Sequence, residues 1–270
     1  MIRKNLSKLL FPILTVLSLF AVFPVLSAST NVAFSGSHIG FNCPTAACST
    51  NWSGYAVTGP NGSVSSVQGS WIVPSVTCGG KKSTTYSSYW VGIDGYNSNT
   101  VEQTGTDSDC SSGHGNYYAW YEFYPNPSVL INGFTVNPGD TVSASVTYST
   151  STGLFTTTIT DGSHSFSTSS SVSSAARSSA EWIVERPALC RGFRCTLTSL
   201  SNFGTVSLGG DYTGTSGTNF ATVFGTSGAI GSFSSNVAIT MVNNSGKTLA
   251  EPSALTTDGT SFTETWFASN

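Results

Sequence analysis

Asn137-Pro-Gly-Asp-Thr-Val-Ser-Ala-Ser-Val-Thr-Tyr148 decides the fold class. Its first four residues carry turn chemistry: Pro presets φ, Gly supplies positive φ, and Asn and Asp bond their own backbone. Val142, Ala144, Val146 and Tyr148 then alternate with Thr and Ser. A period of two puts all four on one face of a strand, whereas a helix would scatter them.

The same reading extends in both directions. Val64–Pro74, Tyr86–Asp94, Thr100–Gly105, Tyr117–Pro125, Leu154–Thr160 and Ser178–Glu185 are strand-length runs bounded by Gly, Pro, Asn and Ser. The stretch beyond Leu200 continues in the same manner. Ser163–Ser174 is a Ser/Thr tract read as a loop or a polar edge, and a helical turn is expected near Arg177. No long 3.6-residue period occurs. Many short strands between turns, with no linker, predict one all-β domain: an antiparallel β-sandwich or jelly roll.

Composition agrees. The chain has 270 residues, 28 Gly, 10 Pro and only 9% charged residues, with 6 Trp, 10 Tyr and 16 Phe to build a core. That aromatic content excludes disorder. The net charge of −3 carries no basic stripe, so nucleic acid is excluded as a partner.

Arg3, Lys4 and Lys8, the apolar run Leu9–Leu26 and the small residues Ser27–Ser29 have the order of a secretory signal cleaved near Ala28. The run is also long enough for an uncleaved anchor. On the signal reading, residues 1–28 are removed, 29–50 form a short extension or prosegment, and 51–270 are the domain. The product is secreted, monomeric and without stable membrane association. Removing three basic residues takes the net charge to −6. So few charges leave few paired carboxylates to lose on acidification, which suits an acidic medium. Six Cys in an exported chain allow three disulfides in fifteen pairings. Proximity favours Cys43–Cys48 and Cys190–Cys195, leaving Cys78 with Cys110. No Cys-x-x-Cys motif is present, and no metal or other cofactor is expected.

Familiar catalytic motifs are missing. There is no Gly-x-Ser-x-Gly, no His-Glu-x-x-His, and no Asp-Thr-Gly or Asp-Ser-Gly; Gln103-Thr-Gly105 stands where such a turn would be sought. His38 precedes the domain, and His114 and His164 lie in Gly/Ser loops. Strand faces are more informative. Period two groups Tyr118, Trp120, Glu122 and Tyr124; Trp90, Gly92 and Asp94; and Glu181, Ile183 and Glu185. A face of aromatics and carboxylates is either a substrate groove or a solvated surface. Taken alone, Gln103 is equally a turn residue and Glu185 a solvated strand carboxylate.

Four segments in this order resemble the glutamic peptidases, the eqolisin family of acid endopeptidases. They are Asn51-Trp-Ser-Gly-Tyr55, Trp90-Val-Gly-Ile-Asp-Gly95 with Gln103-Thr-Gly105, Tyr118-Ala-Trp-Tyr-Glu-Phe-Tyr-Pro125, and Ala180-Glu-Trp-Ile-Val-Glu185. The resemblance runs from about Asn51 to the C-terminus, more loosely after Leu200. It implies that Glu185, not Glu181, and Gln103 are the catalytic pair, with Trp90, Asp94, Trp120, Glu122 and Tyr124 binding a protein or peptide substrate. Glu185 would act as base and then acid, and the Gln103 amide as the oxyanion donor. Some family members carry Asp where this chain has Tyr118. Two other functions fit the same face: a jelly-roll glycoside hydrolase using Glu122 and Glu185, and a carbohydrate-binding or adhesion module.

Overall fold

A computed structural model of the chain describes Cys43, residues 47–191 and residues 194–270. The signal reading of 1–28, His38 and most of 29–50 lie outside the described residues. Within them the chain forms the antiparallel all-β sandwich that the alternating segments predict.

The first layer runs, strand beside strand, as Val129–Leu130, His114–Phe123, Glu102–Ser111, Ser88–Ile93, Ser179–Glu185, Trp52–Thr58 and Asn236–Val242. Every pairing here is antiparallel. Ala47–Ser49, ahead of Asn51, adds a parallel strand to Asn236–Val242. The second layer runs His164–Ser170, Leu154–Asp161, Thr141–Ser149 and Val64–Ile72, flanked by Phe220–Val223 and Thr205–Leu208. Phe262–Trp266 and Thr248–Pro252 carry the ladder back to the first layer.

The larger core lies between the layers. Tyr55, Val57, Tyr89, Val91, Trp182 and Val184 meet Val67, Trp71, Val142, Ala144, Val146, Phe155 and Ile159 there. Val142, Ala144 and Val146 are the alternating residues that decided the fold, and Tyr148 packs at the margin. The two large indoles stay hydrogen-bonded while buried: Trp71 Nε1 donates to Thr106 Oγ1 (2.9 Å) and Trp182 Nε1 to the Gln68 carbonyl (2.9 Å).

One segment takes one of the two forms the sequence left open, and another differs from expectation. The Ser/Thr tract is an edge strand, His164–Ser170, registered by hydroxyl pairs such as Thr156–Ser169 and Thr158–Ser167. No helical turn forms at Arg177, whose φ is +51° and whose chain enters a strand two residues later. The α-helix among the described residues is the single turn Gly210–Thr213. The cysteines pair as favoured: Cys43–Cys48, Cys78–Cys110 and Cys190–Cys195.

Candidate active site

The opposite face of the first layer carries a second, smaller cluster. Trp52, Ala56, Trp90, Trp120, Ile183 and Ile239 pack there, with Tyr96, Tyr118 and Tyr124 partly exposed at its margin. Strand register arranges this face as three cross-strand rows. One row reads Glu122, Gln103, Gly92, Glu181. The middle row reads Trp120, Gly105, Trp90, Ile183. The third reads Tyr118, Asp107, Ser88, Glu185, Trp52. The carboxylates and aromatics grouped by period two, Asp94 apart, thus share one face, and its carboxylates are buried rather than solvated. Gln103 is 0% exposed and Glu122 and Glu185 1%.

Glu185 is held from two sides. Asn51 Nδ2 donates to Oε1 (3.2 Å) and Trp90 Nε1 to Oε2 (3.0 Å). Trp52 stands edge-on to Trp90, ring centroids 4.8 Å apart. The buried Arg186 fixes the strand exit: its backbone N–H donates to the Asn51 carbonyl (2.9 Å) and Nε to the Thr50 carbonyl (2.7 Å). Burial first, and the Asp107 charge, push the Glu185 carboxyl up to about 8, against the lowering effect of Asn51, Trp90 and Trp52. The group is therefore a carboxylic acid throughout the acidic range.

Gln103 Nε2 donates to Glu122 Oε2 at 2.6 Å. Glu122 is held well above the usual carboxylate range by burial and by the Glu185 charge, while Gln103 lowers it. Glu122 is thus near enough to Glu185 to respond to that charge when Glu185 ionises. Gln103 Oε1 and Glu122 Oε1 are buried without a hydrogen-bond partner. A buried polar atom left in that state costs about 1–3 kcal/mol, which a bound ligand or water would recover.

Gln103 and Glu185 are not direct cross-strand neighbours. They stand two strands and four residues apart in register. Trp90 occupies the diagonal between them, its indole N–H on Glu185 and its ring against Gly92 in the Gln103 row. Glu181 is the glutamate in the Gln103 row itself. Its carboxyl, however, is pushed well above the usual range by burial first, then by the charges of Asp94 and Glu102.

The remaining residues separate. Trp120 is at the centre of the face, its indole donating to Asp107 (2.6 Å). Tyr124 lies at the margin, beyond the strand end. Asp94 leaves the face because φ there is +73°. Its carboxylate accepts the backbone N–H groups of Arg177 (2.6 Å) and Ser178 (2.9 Å) and the Ser178 hydroxyl (3.1 Å). It thereby ties the Trp90 strand to the start of the Glu185 strand.

Four residues of this face stand outside the sequence-derived set: Asn51, Trp52, Asp107 and Asp109. Asp107 and Asp109 lie four and six residues beyond Gln103, so period two alone would have placed both beside it. Tyr118 donates towards both, at 2.8 Å to Asp107 Oδ2 and 2.7 Å to Asp109 Oδ2. The acid that some family members carry at the Tyr118 position has a counterpart here on the neighbouring strand, at Asp109.

The Peptidase A4 family model matches residues 50–263. Scytalidopepsin B of Scytalidium lignicola is 35% identical over 170 residues, 60% of this chain and 62% of the relative. Aspergillopepsin-2 of Aspergillus niger is 33% identical over 160 residues, 51% and 56% of the two lengths. The chain thus aligns with somewhat under two thirds of each of these relatives. Among solved structures, scytalido-glutamic peptidase with a transition state analog inhibitor superposes with a TM-score of 0.65 at 27% identity, covering 81% of this chain and 98% of that one. Aspergilloglutamic peptidase from Aspergillus niger gives 0.54 at 26% identity, over 68% and 99%.

Proposed function

The chain belongs to the Peptidase A4 family, and from that premise we propose that it is a secreted acid endopeptidase in which Glu185 moves the protons and Gln103 stabilises the oxyanion. The observation that carries this reading is the seat of Glu185: a buried carboxyl held by Asn51 and Trp90 on the same face as the Gln103–Glu122 pair.

Water must lose a proton to attack the amide carbon, and the departing nitrogen must gain one. As a carboxylic acid, Glu185 serves both demands. One oxygen accepts the proton from water while the hydroxyl passes its own to the substrate, so the group ends as it began. The Gln103 amide has a second N–H beyond the one given to Glu122. Directed at the carbonyl oxygen, it would stabilise the developing negative charge without itself titrating. Tyr96, Tyr118 and Tyr124, partly exposed, would flank an extended peptide entering this face.

Three disulfides and the charge–apolar–small order of residues 1–29 support export. The deciding experiment incubates the purified protein at acidic pH with denatured haemoglobin and, separately, with xylan and β-glucan. Peptides should appear without reducing sugar. Sugar release would make it a glycosidase, and neither product would make it a binding module.

A further inference from the structure

We propose that the Tyr118 hydroxyl joins Asp107 and Asp109 into a pair that, once Asp107 ionises, holds one proton between them, the proton on Asp109 and the charge on Asp107, and that this charge, in the row of Glu185, adds to what burial does in keeping Glu185 protonated. The inference rests on Glu185 being the catalytic carboxyl. Tyr118, Asp107 and Asp109 act through it as positioning residues.

The argument begins with a proton count. Tyr118 Oη lies 2.8 Å from Asp107 Oδ2 and 2.7 Å from Asp109 Oδ2. Both separations are those of O–H···O hydrogen bonds. A tyrosine hydroxyl has one proton and can satisfy one of them. The second contact needs a proton from a carboxyl; otherwise an oxygen lone pair would face a buried carboxylate at bonding distance. One of the two aspartates is therefore protonated, donates to Tyr118, and Tyr118 donates to the other.

Donor supply decides which. Asp107 also accepts from the Trp120 indole at 2.6 Å and from the Ser88 hydroxyl. Asp109 has the Ser87 backbone N–H at 3.1 Å. Charge resides where more donors stabilise it, so Asp107 is the carboxylate and Asp109 the acid. Burial raises both, Asp107 to about 6 and Asp109 well above its ordinary range, the latter further raised by Asp107. The ionisable groups facing the pair are Tyr118 from one neighbouring strand, Tyr86 and Tyr89 from the other side, and Glu185 beyond Ser88. All are acids.

Asp107, Ser88 and Glu185 occupy one row, so the Asp107 charge sits two strands from the catalytic carboxyl and opposes its ionisation. That charge adds to burial, the first cause, in keeping Glu185 protonated as pH rises past about 6, where Asp107 ionises. Asp109 can be replaced by a neutral donor without altering that charge, whereas Asp107 cannot be replaced by a neutral group.

The test measures kcat against pH for Asp109→Asn, Asp107→Asn and Tyr118→Phe on a quenched-fluorescence peptide, with tryptophan emission confirming the fold at each pH. Asp109→Asn supplies an amide donor to Tyr118 and should leave the alkaline limb within about 0.3 unit of wild type. Asp107→Asn removes the charge and should move the limb down by about one unit. Tyr118→Phe should move it the same way, because Asp107 loses a donor and protonates more readily. Equal shifts for the two Asn variants, or no shift in Asp107→Asn, would overturn the proposal. Should Tyr118→Phe not fold, the two Asn variants decide alone. Glu185→Gln is run alongside: turnover there would sink the Glu185 reading itself, separately from the proton pair.

Discussion

Asn51 opens an Asn-Trp-Ser sequon, yet the residue is fully buried and its side-chain amide is committed to Glu185. A glycan there is incompatible with this packing, while Asn61, in a second sequon, is exposed. The sequence marks both alike, because a sequon specifies acceptor chemistry and says nothing of burial. The same limit applies to the two glutamates of Ala180-Glu-Trp-Ile-Val-Glu185. Period two puts both on one face, and only the resemblance prefers the second. Register puts Glu181 opposite Gly92 and hence in the Gln103 row, whereas hydrogen bonding puts Glu185 under Trp90 and Asn51. Substitution separates these cues. Glu185→Gln is nearly isosteric and should fold with essentially no turnover. Gln103→Ala should lower kcat by about 10²–10³, the effect of losing one oxyanion donor, with little change in KM. Glu181→Gln should keep substantial activity, since Asp94, Glu102 and Ser179, rather than Glu122, are its surroundings. Acid proteolysis by the purified variants measures all three. A dead Glu181→Gln beside an active Glu185→Gln would move the catalytic role four residues back along the strand, to the residue the register favours.

At the scale of the strand, the site depends on residues with no functional group. Gly105 stands across from Trp90 in the middle row. A Cβ there would meet the Tyr89 carbonyl oxygen at 2.2 Å and Trp90 Cβ at 2.6 Å. Those neighbours are backbone and the root of a side chain, so relief requires the strands to part. Gly105→Ala should therefore lose about 1–3 kcal/mol or more, as overpacked cores do, and displace the Trp90 indole from Glu185. Urea midpoints at acidic pH, with turnover on the same samples, check this. A variant as stable and active as wild type would mean that the two strands are not packed as described. Gln103-Thr-Gly105 was legible as a motif, but its glycine explains itself only once Trp90 is opposite. Elsewhere, strands were legible where apolar residues alternate, as in Val142–Val146. They were not where a Ser/Thr ladder does the pairing, as at His164–Ser170, because hydroxyl pairs leave no period in hydrophobicity. The expected turn at Arg177 failed for a tertiary reason: its backbone N–H bonds Asp94, 83 residues earlier in the chain.

Across the whole molecule, seven acids of the thirteen in the chain are buried with raised titration: Glu102, Asp107, Asp109, Glu122, Glu181, Glu185 and Glu264. In each the first cause is burial, and the groups that lower them are hydroxyls, amides and indoles rather than cations. The sparse charge of the sequence already suggested tolerance of acid. It did not disclose that the few acids present are inside, since nothing in Val-Glu-Gln-Thr or Phe-Thr-Glu-Thr separates a buried Glu from a solvated one. The consequence has a definite sign. A carboxyl whose folded pKa lies above its unfolded value binds more protons folded than unfolded, so stability is fully present below about pH 4.5 and declines as pH rises towards the folded value. Each unit of such a shift corresponds to about 1.4 kcal/mol. For Glu102, raised from 4.5 to about 9, the loss between pH 4.5 and 7 is on the order of 3 kcal/mol. A domain has about 5–15 kcal/mol in total, so two or three such groups together weigh heavily against it. Asp258 is lowered instead, but it is fully exposed and does not offset the trend. Thermal unfolding followed by tryptophan fluorescence should therefore give the highest Tm near pH 4 and a steady fall towards and beyond neutrality. Glu102→Gln should flatten that fall, because the amide does not titrate. A Tm that peaks near pH 7, or the same slope in Glu102→Gln, would show that these carboxyls ionise in the folded state without cost, and would remove the physical basis for confining the enzyme to acid.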